Sequence, residues 1–147
     1  MTTNVTLLGG SGMLGFETFK VLWSRRHDLR LKLLLRPRPE TQARFEPYQA
    51  QAGPGELEIV WGDATDYADM RAAISSADYV LDAMALISPV ADYYPERSRE
   101  VNTTGIANVV RAIGDEPDGN ARIKLAYTGT VAMTGERQPP VHWGRVG

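Results

Sequence analysis

The chain has 147 residues, 43% hydrophobic and 23% charged, with a formal net charge of −2, the length and make-up of one globular domain able to bury a core. It contains no cysteine, which excludes disulfides and thiolate metal sites, and it has no basic block or stripe to recommend nucleic acid or an anionic membrane as a partner. No apolar run could span a bilayer and the N-terminus carries no signal-like pattern, so the expected setting is the cytoplasm.

Val5–Leu8 is a short apolar run that predicts a buried strand. Glycine then occupies positions 9, 10, 12 and 15, and from Met13 to Arg26 the residues Leu14, Phe16, Phe19, Val21 and Leu22 fall at broadly helical spacing. Arg25 and Arg26 are expected in the last turn of that helix, where its dipole favours cations. Leu31–Leu35 predicts a second strand, stopped by Pro37 and Pro39. A polar helical stretch follows and breaks at Gly53-Pro54-Gly55, and Leu57–Trp61 is the third strand. Asp66 can cap a short helix through Ile74, and Tyr79–Leu81 lies in the fourth strand. Tyr94 to Ile113 predicts one long helix with Val101, Ile106, Val109, Val110 and Ile113 inward, ending at Gly114. Ile123–Tyr127 is the fifth strand, and no element is assigned from Gly135 to Gly147. Five short apolar strands separated by helices predict a doubly wound α/β fold with a parallel sheet. Its strand order is 3-2-1-4-5 if a ligand crevice opens between strands 1 and 4.

The glycines explain why a crevice is expected there. Gly9, Gly12 and Gly15 read G-x-x-G-x-x-G, and Gly10, Gly12 and Gly15 read G-x-G-x-x-G, directly after a strand and at the start of a helix. In that setting the early glycines permit a tight turn, Gly12 admits a pyrophosphate to the backbone, and Gly15 lets the helix pack on the strand. The free amides of the helix start, at Met13 and Leu14, then face the anion. A Walker loop is excluded because Phe16 follows Gly15 where lysine is needed, and a nucleophile elbow at Ser11 because Met13 stands where glycine is needed. The second strand ends Leu33-Leu34-Leu35-Arg36-Pro37-Arg38, with no acid to grip ribose hydroxyls. Arg36, helped by Arg38, therefore favours NADP over NAD, although a solvated arginine at a strand end would look the same. Asp63, after Gly62, can accept from an adenine amino group or serve its own turn.

These residues resemble the extended short-chain dehydrogenase/reductase superfamily, of the NAD-dependent sugar-nucleotide epimerase/dehydratase type. Four stretches fall in that family's order: Gly9 to Gly15, Gly62-Asp63-Ala64-Thr65-Asp66, Val101-Asn102-Thr103-Thr104-Gly105-Ile106-Ala107-Asn108, and Tyr127-Thr128-Gly129-Thr130-Val131-Ala132-Met133-Thr134-Gly135. The resemblance implies a Rossmann-like nucleotide-binding domain over residues 1–147. It puts Gly9, Gly12 and Gly15 at the pyrophosphate, Asp63 and Ala64 on the adenine side, Asn102 on the nicotinamide side, and Thr130 as the catalytic Ser/Thr acting on a small-molecule substrate. The departures are Gly129 for a serine, Thr134 for a tyrosine, and Asp82 and Met84 in the loop after the fourth strand.

The family's Tyr-x-x-x-Lys acid/base pair is missing. The residues four after each tyrosine are Ala52, Arg71, Ala83, Arg97, Ser98 and Val131, and the lysines are Lys20, Lys32 and Lys124. The chain thus reads as the nucleotide-binding part of a longer enzyme, expected to bind cofactor without turnover. A non-catalytic NADP sensor or scaffold on the same fold is the alternative. His142 and His27 spell no metal site. If the sheet ends at the fifth strand, its bare edge is expected to be covered by the chain's own tail or by a second copy.

Overall fold

In the computed structural model, residues 2–87 and 89–129 are described. Strands β1 (Thr3–Leu8), β2 (Leu29–Leu35), β3 (Leu57–Trp61), β4 (Tyr79–Asp82) and β5 (Lys124–Tyr127) form one sheet in the order β3-β2-β1-β4-β5. Every neighbouring pair is parallel. Alternation along the strands sorts the core into two layers. Leu7, Leu31, Leu33 and Leu35 pack with Phe19 of helix α1 (Met13–Ser24) and Phe45 of helix α2 (Pro39–Gln51). Leu8, Leu34 and Val80 pack with Met70 and Ile74 of helix α3 (Tyr67–Ile74) on the opposite face. The α1–α2 side is aromatic, with the Phe19 ring 5.0 Å from Phe45 and 4.9 Å from Tyr48 in edge-on geometry.

The register brings the carboxyl ends of the strands to one rim: Leu8 is level with both Leu34 and Asp82, and Leu35 with Trp61. The turns that follow β1, β2, β3 and β4 therefore rise together, which is what places a site there. Asp66 caps α3 as expected, accepting from the amides of Ala68 and Asp69.

Two helical expectations are corrected. Helix α1 stops at Ser24, and Arg25 and Arg26 lie in the turn beyond it, their amides bonded to Leu22 and Trp23 carbonyls. The long helix expected from Tyr94 starts one residue later and runs without interruption to Asp115, but it is not uniformly α-helical. Helix α4 (Val90–Tyr93) precedes it, and Tyr94 sits at φ −133°, ψ 63°, because the residue before Pro95 is kept out of helical angles. Helix α5 (Pro95–Glu100) then passes through a π-helical turn at Val101–Gly105 into helix α6 (Ile106–Asp115), which continues one residue past Gly114. The buried face of α6 runs through Asn108, Val109, Ala112 and Ile113. Val109 and Ile113 are buried, while Val110, expected inward, is 57% exposed. A short helix α7 (Gly119–Arg122) leads into β5, which starts at Lys124 and whose residues are all exposed. No helix among the described residues is long and apolar enough to cross a membrane.

Candidate functional site

The turn after β1 is built around two glycines that the fold itself requires. Gly9 has φ +78°, and a Cβ there would stand 2.7 Å from the carbonyl carbon and oxygen of Ala83. At Gly15 a Cβ would stand 2.0 Å from the Gly9 carbonyl oxygen, so α1 can lie this close to the turn only without one. Gly12 is different. It sits at φ −75°, ψ 172°, open to any residue, and a Cβ would meet only the Gly9 oxygen at 3.4 Å. Gly12 is the N-cap of α1, with no side-chain cap bond and no acid in the first turn. The start of the helix thus presents amides and a partial positive charge with no side chain of its own to meet them.

That turn opens into a cavity of about 310 Å³, lined by Gly9, Gly12 and Ser11 on one side and by Leu34, Gly62, Ala64, Val101 and the Ala83–Leu86 loop on others. Arg36, Arg38 and Arg44 line it as well, against the single acid Glu40. Arg44 was not foreseen from the sequence. It reaches from α2 to the glycine turn, donating to the Ser11 carbonyl at 3.0 Å and lying over the Phe16 ring. Its signal was helical phase: it falls three residues after the cavity-lining Thr41 and beside the buried Phe45.

The other expected residues are distributed as follows. Met13 and Leu14 form the first turn of α1, with the Met13 side chain 87% exposed. Gly15 is buried under the turn. Asp63 lies between the lining residues Gly62 and Ala64, and its carboxylate is engaged by Thr65 and two arginines while its side chain stays one-third exposed. Oδ1 accepts from the Thr65 amide at 2.9 Å and hydroxyl at 2.8 Å. Oδ2 accepts from Arg97 at 2.5 Å and lies 3.4 Å from Arg36 Nε. Burial opposes its charge, yet the Thr65 bonds and the two arginines together hold its carboxyl below the usual range. Arg97, on α5, was likewise unforeseen, since the pair spans 34 positions.

Asn102 lies in the π turn and grips the loop after β4. It accepts from the Leu86 amide and donates back to the Leu86 carbonyl, both at 3.0 Å, and Ser98 Oγ donates to the same carbonyl at 3.1 Å. Asp82 does not line the cavity. Its carboxylate is buried beneath that loop, with Oδ1 taking the Met84 amide at 2.8 Å and Oδ2 meeting no partner. Thr130 and His142 lie outside the described residues. Among the described residues no cluster of His, Asp or Glu could hold a metal ion.

The arrangement suits an anionic ligand: bare amides at the glycine turn, arginines beside them and at the end of β2, and apolar residues among them. The model of the NAD dependent epimerase/dehydratase family matches residues 5–143. No curated protein matches the sequence. Solved structures similar to the chain include the UDP-Glc/GlcNAc 4-epimerase of Campylobacter jejuni, with TM-score 0.74 and 19% identity over 95% of this chain and 41% of that one. The enzyme WbmH of Bordetella bronchiseptica, solved in complex with NAD+, has TM-score 0.67 and 21% identity over 92% and 41%. The uronate dehydrogenase of Agrobacterium tumefaciens has TM-score 0.56 and 23% identity over 85% and 40%. At these identities the likeness is one of fold. The chain spans 33%, 54% and 60% of three further solved structures that it matches.

Proposed function

The chain belongs to the NAD dependent epimerase/dehydratase family, and from that premise we propose that it is the dinucleotide-binding part of an NAD(P)-dependent oxidoreductase or sugar-nucleotide epimerase/dehydratase-like enzyme, with NADP preferred over NAD. The observation that carries this reading is Gly12. Glycine costs conformational entropy wherever it stands. At Gly9 and Gly15 the packing of the protein requires it, whereas at Gly12 nothing in the protein does. The missing side chain there serves something that comes from outside.

In this reading the Met13 and Leu14 amides hold the pyrophosphate, Gly12, whose own amide is bonded to the Gly9 carbonyl, lets it approach the backbone, Gly9 and Gly15 fix the turn, and Arg36, Arg38 and Arg44 supply positive charge for a ribose 2′-phosphate. Ala64 and Val101 wall the base, and Asn102 steadies the loop on the nicotinamide side. When bound, the nicotinamide ring supplies a hydride acceptor or donor. Thr130 would give a hydrogen bond to an oxygen of a small-molecule substrate. With no Tyr-x-x-x-Lys in these residues, the role assigned to them is binding.

Titration with NADPH and NADH by nicotinamide fluorescence tests the reading. NADPH should bind about tenfold tighter, the yield of one charge-assisted hydrogen bond. Gly12→Val should abolish binding of both while leaving the thermal midpoint within about 3 °C, since its Cβ has room and its φ is ordinary. Undiminished binding by that variant would remove the reading. Equal affinity for the two nucleotides would remove the preference for NADP.

A further inference from the structure

A second helix start opens on the same cavity. Helix α2 runs for 13 residues, and its N-cap, Arg38, has extended angles and makes no side-chain cap bond. Its first helical residue is Pro39, which carries no amide hydrogen. The first bond of the helix runs from the Gln42 amide to the Arg38 carbonyl, so the amides of Glu40 and Thr41 are left for a partner outside the helix. Thr41 points independently to a ligand. It lines the cavity and is only 7% exposed, and its hydroxyl has no hydrogen-bond partner among the described residues. Yet the hydroxyl is not sealed off, because the fully enclosed, unpartnered polar atoms among the described side chains are Arg26 Nε and Asp82 Oδ2. The surface it keeps is on the side of the cavity that the residue lines. A buried hydroxyl ordinarily finds a partner, and here the partner has to come from the ligand.

The three arginines of the cavity are not equivalent. Arg36 stands 3.4 Å from the Asp63 carboxylate, which already offsets its charge. Arg44 donates to the Ser11 carbonyl at 3.0 Å and so ties α2 to the glycine turn. The Arg38 side chain is exposed, with no ion pair or hydrogen bond among the described residues. We propose that the start of α2 is a second phosphate pocket, in which the Thr41 hydroxyl, the Glu40 and Thr41 amides and Arg38 bind a phosphomonoester dianion, and that this pocket, rather than Arg36, sets the preference for a phosphorylated dinucleotide. The inference deepens the dinucleotide-binding reading above and rests on it: the pyrophosphate takes the start of α1, and the ribose 2′-phosphate takes the start of α2. The hydroxyl and the two amides donate to phosphate oxygens, and Arg38 supplies the compensating charge. Glu40, the one acid lining the cavity, opposes the anion, and three arginines outweigh it.

Nicotinamide fluorescence with NADPH and NADH reads the pocket as a ratio of dissociation constants. Thr41→Val keeps the branched shape and removes the hydroxyl. It should weaken NADPH about fivefold, the worth of one hydrogen bond, and leave NADH within about twofold of wild type. Thr41→Ser should keep the preference. Arg38→Gln should likewise weaken NADPH more than NADH, and Arg36→Gln should shift the ratio less than either. Inorganic phosphate, which can fill the pocket without the nucleotide, should compete with NADPH more strongly than with NADH. A ratio unmoved in both Thr41→Val and Arg38→Gln, a loss shared equally by the two nucleotides, or phosphate competing equally with both overturns the pocket. Each of those results leaves the dinucleotide reading standing, because wild-type chain still binds NADH. Failure of wild-type chain to bind either nucleotide overturns that reading, and this inference with it.

Discussion

Asp82 shows what the fold asks of one residue. It is 1% exposed, one oxygen holds the Met84 amide, and the other meets nothing. Burial pushes its carboxyl up to about 6, and the Met84 amide offsets only part of that. In the unfolded chain the group titrates near 4. Between about pH 4 and pH 6 the folded chain therefore keeps a proton that the unfolded chain has released, so stability falls as pH rises through that window and levels off above it. The full loss is about 3 kcal/mol. Asp63, whose carboxyl is held low, works in the opposite sense: its contribution is present above about pH 4 and is lost as pH falls below. Urea midpoints should drop between pH 4.5 and pH 7 in wild-type chain, and Asp82→Asn should flatten that slope. The slope is the quantity to compare, because the asparagine amide would bury an unpaired donor of its own. A wild-type midpoint that climbs over the same range would contradict the assignment.

Asn102 acts through the element that carries it. The π turn at Val101–Gly105 sets the side chain so that it closes two hydrogen bonds on the Leu86 backbone, and Leu86 belongs to the wall of the cavity. Asn102→Ala should cost about 1 kcal/mol in stability, the worth of exposed hydrogen bonds. Amide exchange at Leu86 should quicken while exchange in α1 stays unchanged, and unaltered exchange at Leu86 would show that Ser98 alone holds the loop. This is also the place where the sequence was hardest to read. The strands could be found because each is a short apolar run, and α1 because the glycines mark its start. The π turn has no such local mark: its extra residue is a matter of i to i+5 bonding. Val110 was misplaced for another reason, since it follows Ile106 by one turn whereas the buried arc runs through Asn108, Val109, Ala112 and Ile113. Arg44 and Arg97 were missed for a third reason. Each meets its partner across a long stretch of chain, Ser11 in one case and Asp63 in the other, and only the sheet order brings those ends together.

At the scale of the molecule, the cavity has no existence apart from the sheet. Its walls come from the turn after β1, the end of β2, α2, the end of β3, the loop after β4 and the π turn, so residues from Gly9 to Val101 must meet before a ligand has a site. The unfolded chain therefore has nothing that could bind a dinucleotide, and the ligand stabilises the folded state alone. Under that condition NADPH at a hundred times its dissociation constant should raise the unfolding free energy by about 2.7 kcal/mol. For a chain of this length that corresponds to a rise of about 5 to 10 °C in the thermal midpoint. The rise should grow with the logarithm of NADPH concentration, and Gly12→Val should remove it while starting from nearly the same midpoint. A midpoint that ignores NADPH in wild-type chain, at concentrations where fluorescence reports saturation, would mean that the nucleotide is held on a patch the unfolded chain also presents. The glycine turn and the arginines around the cavity would then have been given the wrong ligand.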